Sequence, residues 1–114
     1  MTSANRAKGL RNQRKVIKEL QDRGFLVDKV EKTGRFCKEK DLFGLFDLIA
    51  IYPGRCASLI QVTTNRPHTH KKYQEFAKTF PRQSIEQWVY YDRKGFVIFV
   101  YNDDGTKTEF DNRK

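Results

Sequence analysis

Cysteine is scarce: Cys37 and Cys56 are the only two in 114 residues, and they form no C-x-x-C pair. Two cysteines make no disulfide framework, which excludes a stapled secreted scaffold. Long apolar runs are missing as well. No stretch approaches the roughly 18 continuous apolar residues of a spanning helix, so a membrane-crossing helix is excluded. Residues 1–5 are polar apart from Met1 and Ala4, and no apolar stretch follows a basic start, so no secretory signal is expected. The expectation is a cytoplasmic, intracellular protein with no membrane partner, of cellular or viral origin. Acidic residues are few beside the basic ones, 14 against 23, a formal net charge of +9. That surplus predicts attraction to a polyanion. Nucleic acid fits best, because binding releases its condensed counterions.

What is present points to a folded core. Hydrophobic residues make up 38% of the chain, but 13% of all residues are aromatic and the apolar ones come in tight runs. A disordered chain lacks such runs. At this length the chain holds one domain, placed at residues 7–110 between flexible ends at 1–6 and 111–114.

Residues 7–23 read as a helix, with Leu10, Gln13, Val16, Ile17 and Leu20 on one face and a basic remainder. Gly24 is the stop signal. A first strand follows at 25–30, then a loop or bent strand at 31–45. Residues 46–52 and 57–63 are strong strand signals joined by Pro53-Gly54, which predicts a hairpin. A short helix is expected at 69–79, closed by Pro81. Strands at 85–91 and 96–101 flank the turn at residues 92–95, and residues 107–110 can add an edge strand. The fold class is therefore α/β (α+β), a mixed central sheet flanked by helices, in the order α-β-β-β-α-β-β.

Strand alternation places chemistry. Asp47 lies inside an otherwise apolar strand, and a buried carboxylate is costly unless paired or metal-bound. Gln61 and Thr63 share a face of the next strand. If the hairpin pairs as its turn indicates, Asp47 and Gln61 project near the same end. Gln13, a polar residue on the apolar helix face, can reach the same spot. Each has a structural reading beside the functional one. Gln61 can hydrogen-bond across the sheet, Thr63 is a good strand former, and Gln13 can sit at the rim of the core.

The segments Gly24-Phe25-Leu26-Val27, Leu45-Phe46-Asp47-Leu48-Ile49-Ala50-Ile51 and Leu59-Ile60-Gln61-Val62-Thr63-Thr64-Asn65-Arg66 resemble the PD-(D/E)xK nuclease superfamily. Within it they are similar to the Holliday-junction-resolvase group, over roughly residues 7–66. The resemblance implies a restriction-endonuclease-like core and a DNA endonuclease dependent on Mg²⁺ or Mn²⁺. It assigns Asp47 to the metal-binding Asp, Gln61 to a usually acidic metal position, Thr63 to the place of the catalytic Lys, and Gln13 to the helix Glu. Lys38, Lys40, Lys71 or Lys72 are candidates for the missing cation, and Glu39 or Asp41 for an added carboxylate. The group acts on branched DNA as homodimers, so a homodimer through the aromatic C-terminal strands is expected.

The nucleic-acid-binding candidates are Arg11, Arg14, Lys15, Lys18, Arg66, Lys71 and Lys72, set for backbone contact rather than base reading. The His68 and His70 pair reads as solvent-exposed or phosphate-contacting before it reads as a metal site. Trp88, Tyr90 and Tyr91 read as core, interface or stacking platform. Two other functions stay open: a catalytically inactive nucleic-acid-binding module of the same fold, favoured by Gln13 and Thr63, and a protein-interaction or inhibitor domain.

Overall fold

A computed structural model of the chain describes residues 3–29 and 45–113, with side chains in the first helix described from Gly9 onward. The elements are α1 (Ser3–Asp22), β1 (Leu26–Lys29), β2 (Leu48–Ile51), β3 (Ser58–Thr64), α2 (His70–Thr79), β4 (Ser84–Tyr91), β5 (Gly95–Tyr101) and β6 (Lys107–Asp111). The six strands form one mixed sheet in chain order. Every neighbouring pair is antiparallel except β3 and β4, which α2 joins as the crossover of a parallel pair. This is the α+β class read from the sequence, with the edge strand β6 added. The predicted 31–45 loop lies outside the described residues apart from Leu45, as do Lys38, Glu39, Lys40 and Asp41.

Alternation sends the two sides of the sheet to different helices. Leu59, Ile85, Val89, Val97, Phe99 and Tyr101 pack with Tyr73 and Ala77 of α2. Their neighbours Leu48, Ala50, Ile60, Val62, Trp88 and Ile98 pack with Val16 and Leu20 of α1. The two helices therefore cover opposite faces. Burying side chains such as Val16 and Leu20 stabilises by about 1.5–3 kcal/mol each.

Two details depart from the sequence pattern. The helix begins at Ser3, inside the stretch expected to be flexible: Ala4, Arg6 and Ala7 are strong helix formers, and a helix nucleated by its packed turns propagates through them. The buried stripe of α1 is also rotated. Asn12, Val16 and Leu20 are buried at four-residue spacing, while Gln13 and Ile17 are half-buried at its side. The helix stop is as expected. Gly24, at φ +96°, lets its own amide reach Gln21 O at 3.0 Å and the Phe25 amide reach Leu20 O at 3.0 Å. That closing pair satisfies carbonyls the last turn leaves open, and Phe25 turns back onto the α1-side core.

Candidate functional site

Asp47 sits at a break in β2. Phe46 belongs to the α2-side core and Leu48 to the α1-side core, although residues two apart in a regular strand share a face. One extra residue is therefore inserted, as in a bulge. The Asp47 amide donates to Ile60 O at 2.9 Å, and Ile60 is already the partner of Leu48. The strand predicted at 46–52 thus pairs regularly from Leu48, and Asp47 leaves the face shared by Ile49 and Ile51. The β2–β3 ladder ends at the Leu48–Ile60 pair. Just past it the Asp47 carboxylate takes the place of a ladder carbonyl, accepting the Val62 amide on Oδ2 at 3.2 Å. The bulge delivers a carboxylate to the edge of β3.

Gln61 and Thr63 flank Val62 and face α2. They are 6% and 7% exposed, yet Gln61 Oε1 and Thr63 Oγ1 have no hydrogen-bond partner. A buried polar atom left unsatisfied costs about 1–3 kcal/mol. Their neighbours are satisfied. Gln87, directly beside Gln61 in the β3–β4 pair, accepts the His68 amide on Oε1 at 2.6 Å and donates from Nε2 to the Tyr101 hydroxyl at 2.8 Å. Asp47 is thus tied to the backbone of Val62, the residue between Gln61 and Thr63.

Gln13 is half-buried on α1, which covers the opposite face of the sheet from Gln61 and Thr63. The buried amide of α1 is its neighbour Asn12, 4% exposed, which donates from Nδ2 to Thr64 Oγ1 at 2.8 Å. The sequence reading missed Asn12 because an apolar stripe drawn through Leu10 and Gln13 leaves it aside. The stripe Asn12, Val16, Leu20 was the available signal.

Two contacts set α1 against the C-terminal end of β3, the end from which the chain runs on to Arg66. Asn12 ties the N-terminal half of α1 to the last residue of β3, and Lys15 Nζ lies 4.5 Å from the ring centre of Tyr90, the residue paired with Thr64. Arg11, Arg14, Lys15 and Lys18 are exposed on α1, and Arg66, Lys71 and Lys72 are exposed where β3 passes into α2. The ion pairs seen among described residues, Arg23–Glu19 and Arg113–Asp111, involve none of these seven. A cleft of about 420 Å³ opens at the β3–α2 corner, walled in part by Arg66, His68, Lys72 and Tyr73.

The histidines are engaged separately. His70 Nδ1 lies 2.7 Å from the Tyr101 hydroxyl, and burial, then the nearby charge of Lys107, holds the His70 pKa below its usual value. Burial also pushes the Tyr101 hydroxyl up to about 12. His68 stands 3.5 Å from the Tyr73 hydroxyl, which donates to Leu45 O at 3.1 Å. Among the described residues no three His, Cys, Asp or Glu side chains gather as a metal cluster. Trp88 is core, 2% exposed and stacked on Phe96, while Tyr90 and Tyr91 are half-buried.

No described helix is long and apolar enough to cross a membrane. No family model and no curated protein matches the chain. Among solved structures it is similar to Hjc, a Holliday junction resolvase from the archaeal hyperthermophile Archaeoglobus fulgidus. The TM-score is 0.58 at 20% identity, over 81% of this chain and 76% of that one. The similarity rests on shape at low identity, and it establishes the fold: this chain has a resolvase-like nuclease fold.

Proposed function

We propose that the chain binds DNA at the basic end of its sheet and is a structure-selective, metal-dependent endonuclease of the PD-(D/E)xK kind. The observation that carries this is the pair of orphaned buried oxygens, Gln61 Oε1 and Thr63 Oγ1, on either side of Val62, whose amide the Asp47 carboxylate accepts. Apolar side chains would fill those positions without the penalty, so their retention favours a ligand. Carboxylate, amide and hydroxyl oxygens are hard donors of the type Mg²⁺ or Mn²⁺ takes, with water completing the shell. Asp47 and Gln61 would hold the ion. Bound there, it supplies charge neutralisation at a phosphodiester and a water of lowered pKa. The chain's own part is to fix the carboxylate through the Val62 amide and to present cations to the DNA backbone. The Hjc likeness supports DNA as the polymer, and a homodimer is part of the same proposal. The exposed Phe110 on edge strand β6 offers an apolar contact for that dimer.

One observation favours a second reading. Thr63 stands where the resemblance expects a lysine, and a single carboxylate makes a low-charge metal site, so a binding module that lost cleavage fits the same surface. The test uses labelled duplex, flap and four-way-junction DNA with Mg²⁺, Mn²⁺ or chelator, beside Asp47→Asn, which keeps an oxygen for the Val62 amide. Metal-dependent cutting that Asp47→Asn loses supports the endonuclease. Salt-sensitive binding with no cutting under any metal supports the binding module. Absence of any binding overturns both.

A further inference from the structure

We infer that the cleft at the β3–α2 corner seats one phosphate group of a nucleic-acid strand, held by Arg66, Lys72 and the first turn of α2. The inference rests on the nucleic-acid reading above and gives its backbone contact a place.

Arg66, His68 and Lys72 contribute to the walls with Leu45, Thr69 and Tyr73, and among the described residues no carboxylate lines the cleft. Arg66 and Lys72 are exposed and make no ion pair with a described residue, so two positive charges face the opening. An Arg fork and a Lys point charge match the oxygens of a phosphate. The ten-residue helix α2 starts at this wall. Its N-cap Thr69 makes no side-chain capping bond and its first turn holds no acid. The leading amides thus lack a capping side chain, and an anion placed there meets their partial positive charge.

The position relative to the orphaned oxygens is the independent argument. Gln87 pins the His68 amide at the cleft wall, and Gln61, with Oε1 unpartnered at 6% exposure, stands directly beside Gln87. On the other wall, Tyr73 pins Leu45 O, two residues before Asp47. The cleft walls are therefore fixed by Gln87, the strand neighbour of Gln61, and by Tyr73, which holds the chain just before Asp47. A phosphate seated in the cleft places its strand over the Asp47, Gln61, Thr63 row, and Arg66 and Lys72 provide there the positive charge that Thr63 does not. The cleft is larger than one phosphate, which leaves room for the attached sugar.

The test follows backbone amide shifts by ¹⁵N NMR at fixed ionic strength. Inorganic phosphate or a 5′-phosphorylated thymidine dinucleotide is added to the wild type and to the Arg66→Gln/Lys72→Gln protein, and duplex DNA affinity is measured in parallel. The expected result is saturable shifts at residues 66–72, stronger for the dinucleotide than for phosphate. The double variant should keep its spectral dispersion but lose at least tenfold in dinucleotide and duplex affinity. Duplex binding without saturable shifts at 66–72 overturns the seat and leaves the nucleic-acid reading intact. Shifts with phosphate alone, with duplex affinity unchanged in the variant, also overturn it and reveal a free-anion site. Failure of every nucleic acid to bind overturns the seat and the broader reading together.

Discussion

Replacing Thr63 by valine should make the protein more stable and less functional. The side chain is 7% exposed, faces α2, and its hydroxyl has no partner. Valine keeps the β-branched shape that suits a buried strand and removes only the orphaned oxygen. An unsatisfied buried polar group costs about 1–3 kcal/mol, so its removal should return about 1 kcal/mol. For a domain near 100 residues that raises Tm by about 4–8 °C. With a urea m-value of about 1–3 kcal/mol/M, the midpoint moves up by roughly 0.3–1 M. Thr64→Val is the control one residue along: its hydroxyl accepts the buried Asn12 amide at 2.8 Å, and losing it should cost about 1–3 kcal/mol. Urea titrations of both variants give the contrast, and cleavage or DNA binding by Thr63→Val gives the functional half. A loss of more than about 1 kcal/mol in Thr63→Val would falsify the reasoning, because the hydroxyl would then have a partner in solution. A stabilised variant with unchanged function would show that the oxygen serves no ligand.

Asn12→Ala should lose about 1–3 kcal/mol through its buried amide, and Gln13→Ala no more than about 0.5 kcal/mol, a difference readable in thermal melts. Phe46→Ala removes a fully buried ring packed edge-on against Tyr73 and Phe76 and should cost about 3–5 kcal/mol in urea unfolding. His70 carries a pH dependence. Its folded pKa lies below the usual 6.5 of a histidine, so the unfolded chain takes up the proton first. Its contribution is complete above about pH 6.5 and is lost as pH falls through 6.5 toward the lower folded value. Melts at pH 7.5 and 5.5 should differ more in the wild type than in His70→Gln, and equal differences would refute the assignment.

Element types were legible because each carries its own period. The three- and four-residue spacing through Val16 and Leu20 marks α1, and the apolar runs at Ile49 and Ile60 mark the central strands. Gly24 announces the helix stop because only a left-handed backbone closes those carbonyls. The pairing of the two central strands was also legible, since the hairpin turn points to it. The bulge was not: one inserted residue leaves composition unchanged and shows only when Phe46 and Leu48 fall on opposite faces. The choice of Asn12 over Gln13 was hidden for a related reason. A rotation of one residue about the helix axis depends on where Thr64 offers an acceptor, and that is a tertiary fact. The cleft could not be read either, since it arises where the β3–α2 connection meets Leu45.

The chain order of the sheet has a consequence for how the molecule opens. No strand is threaded between two others, so strands can add or leave one at a time from the margins. β6 is exposed along its whole length, and β1 is an edge with Leu26 facing solvent. Those margins are expected to fray at low free energy, whereas β3 and β4, largely buried and paired on both sides, should exchange their amides at a free energy near that of global unfolding. The unpartnered oxygens of Gln61 and Thr63 therefore sit on the strand expected to exchange most slowly. Breathing at the edges does not bring them water, and a ligand must reach them through the end of the sheet.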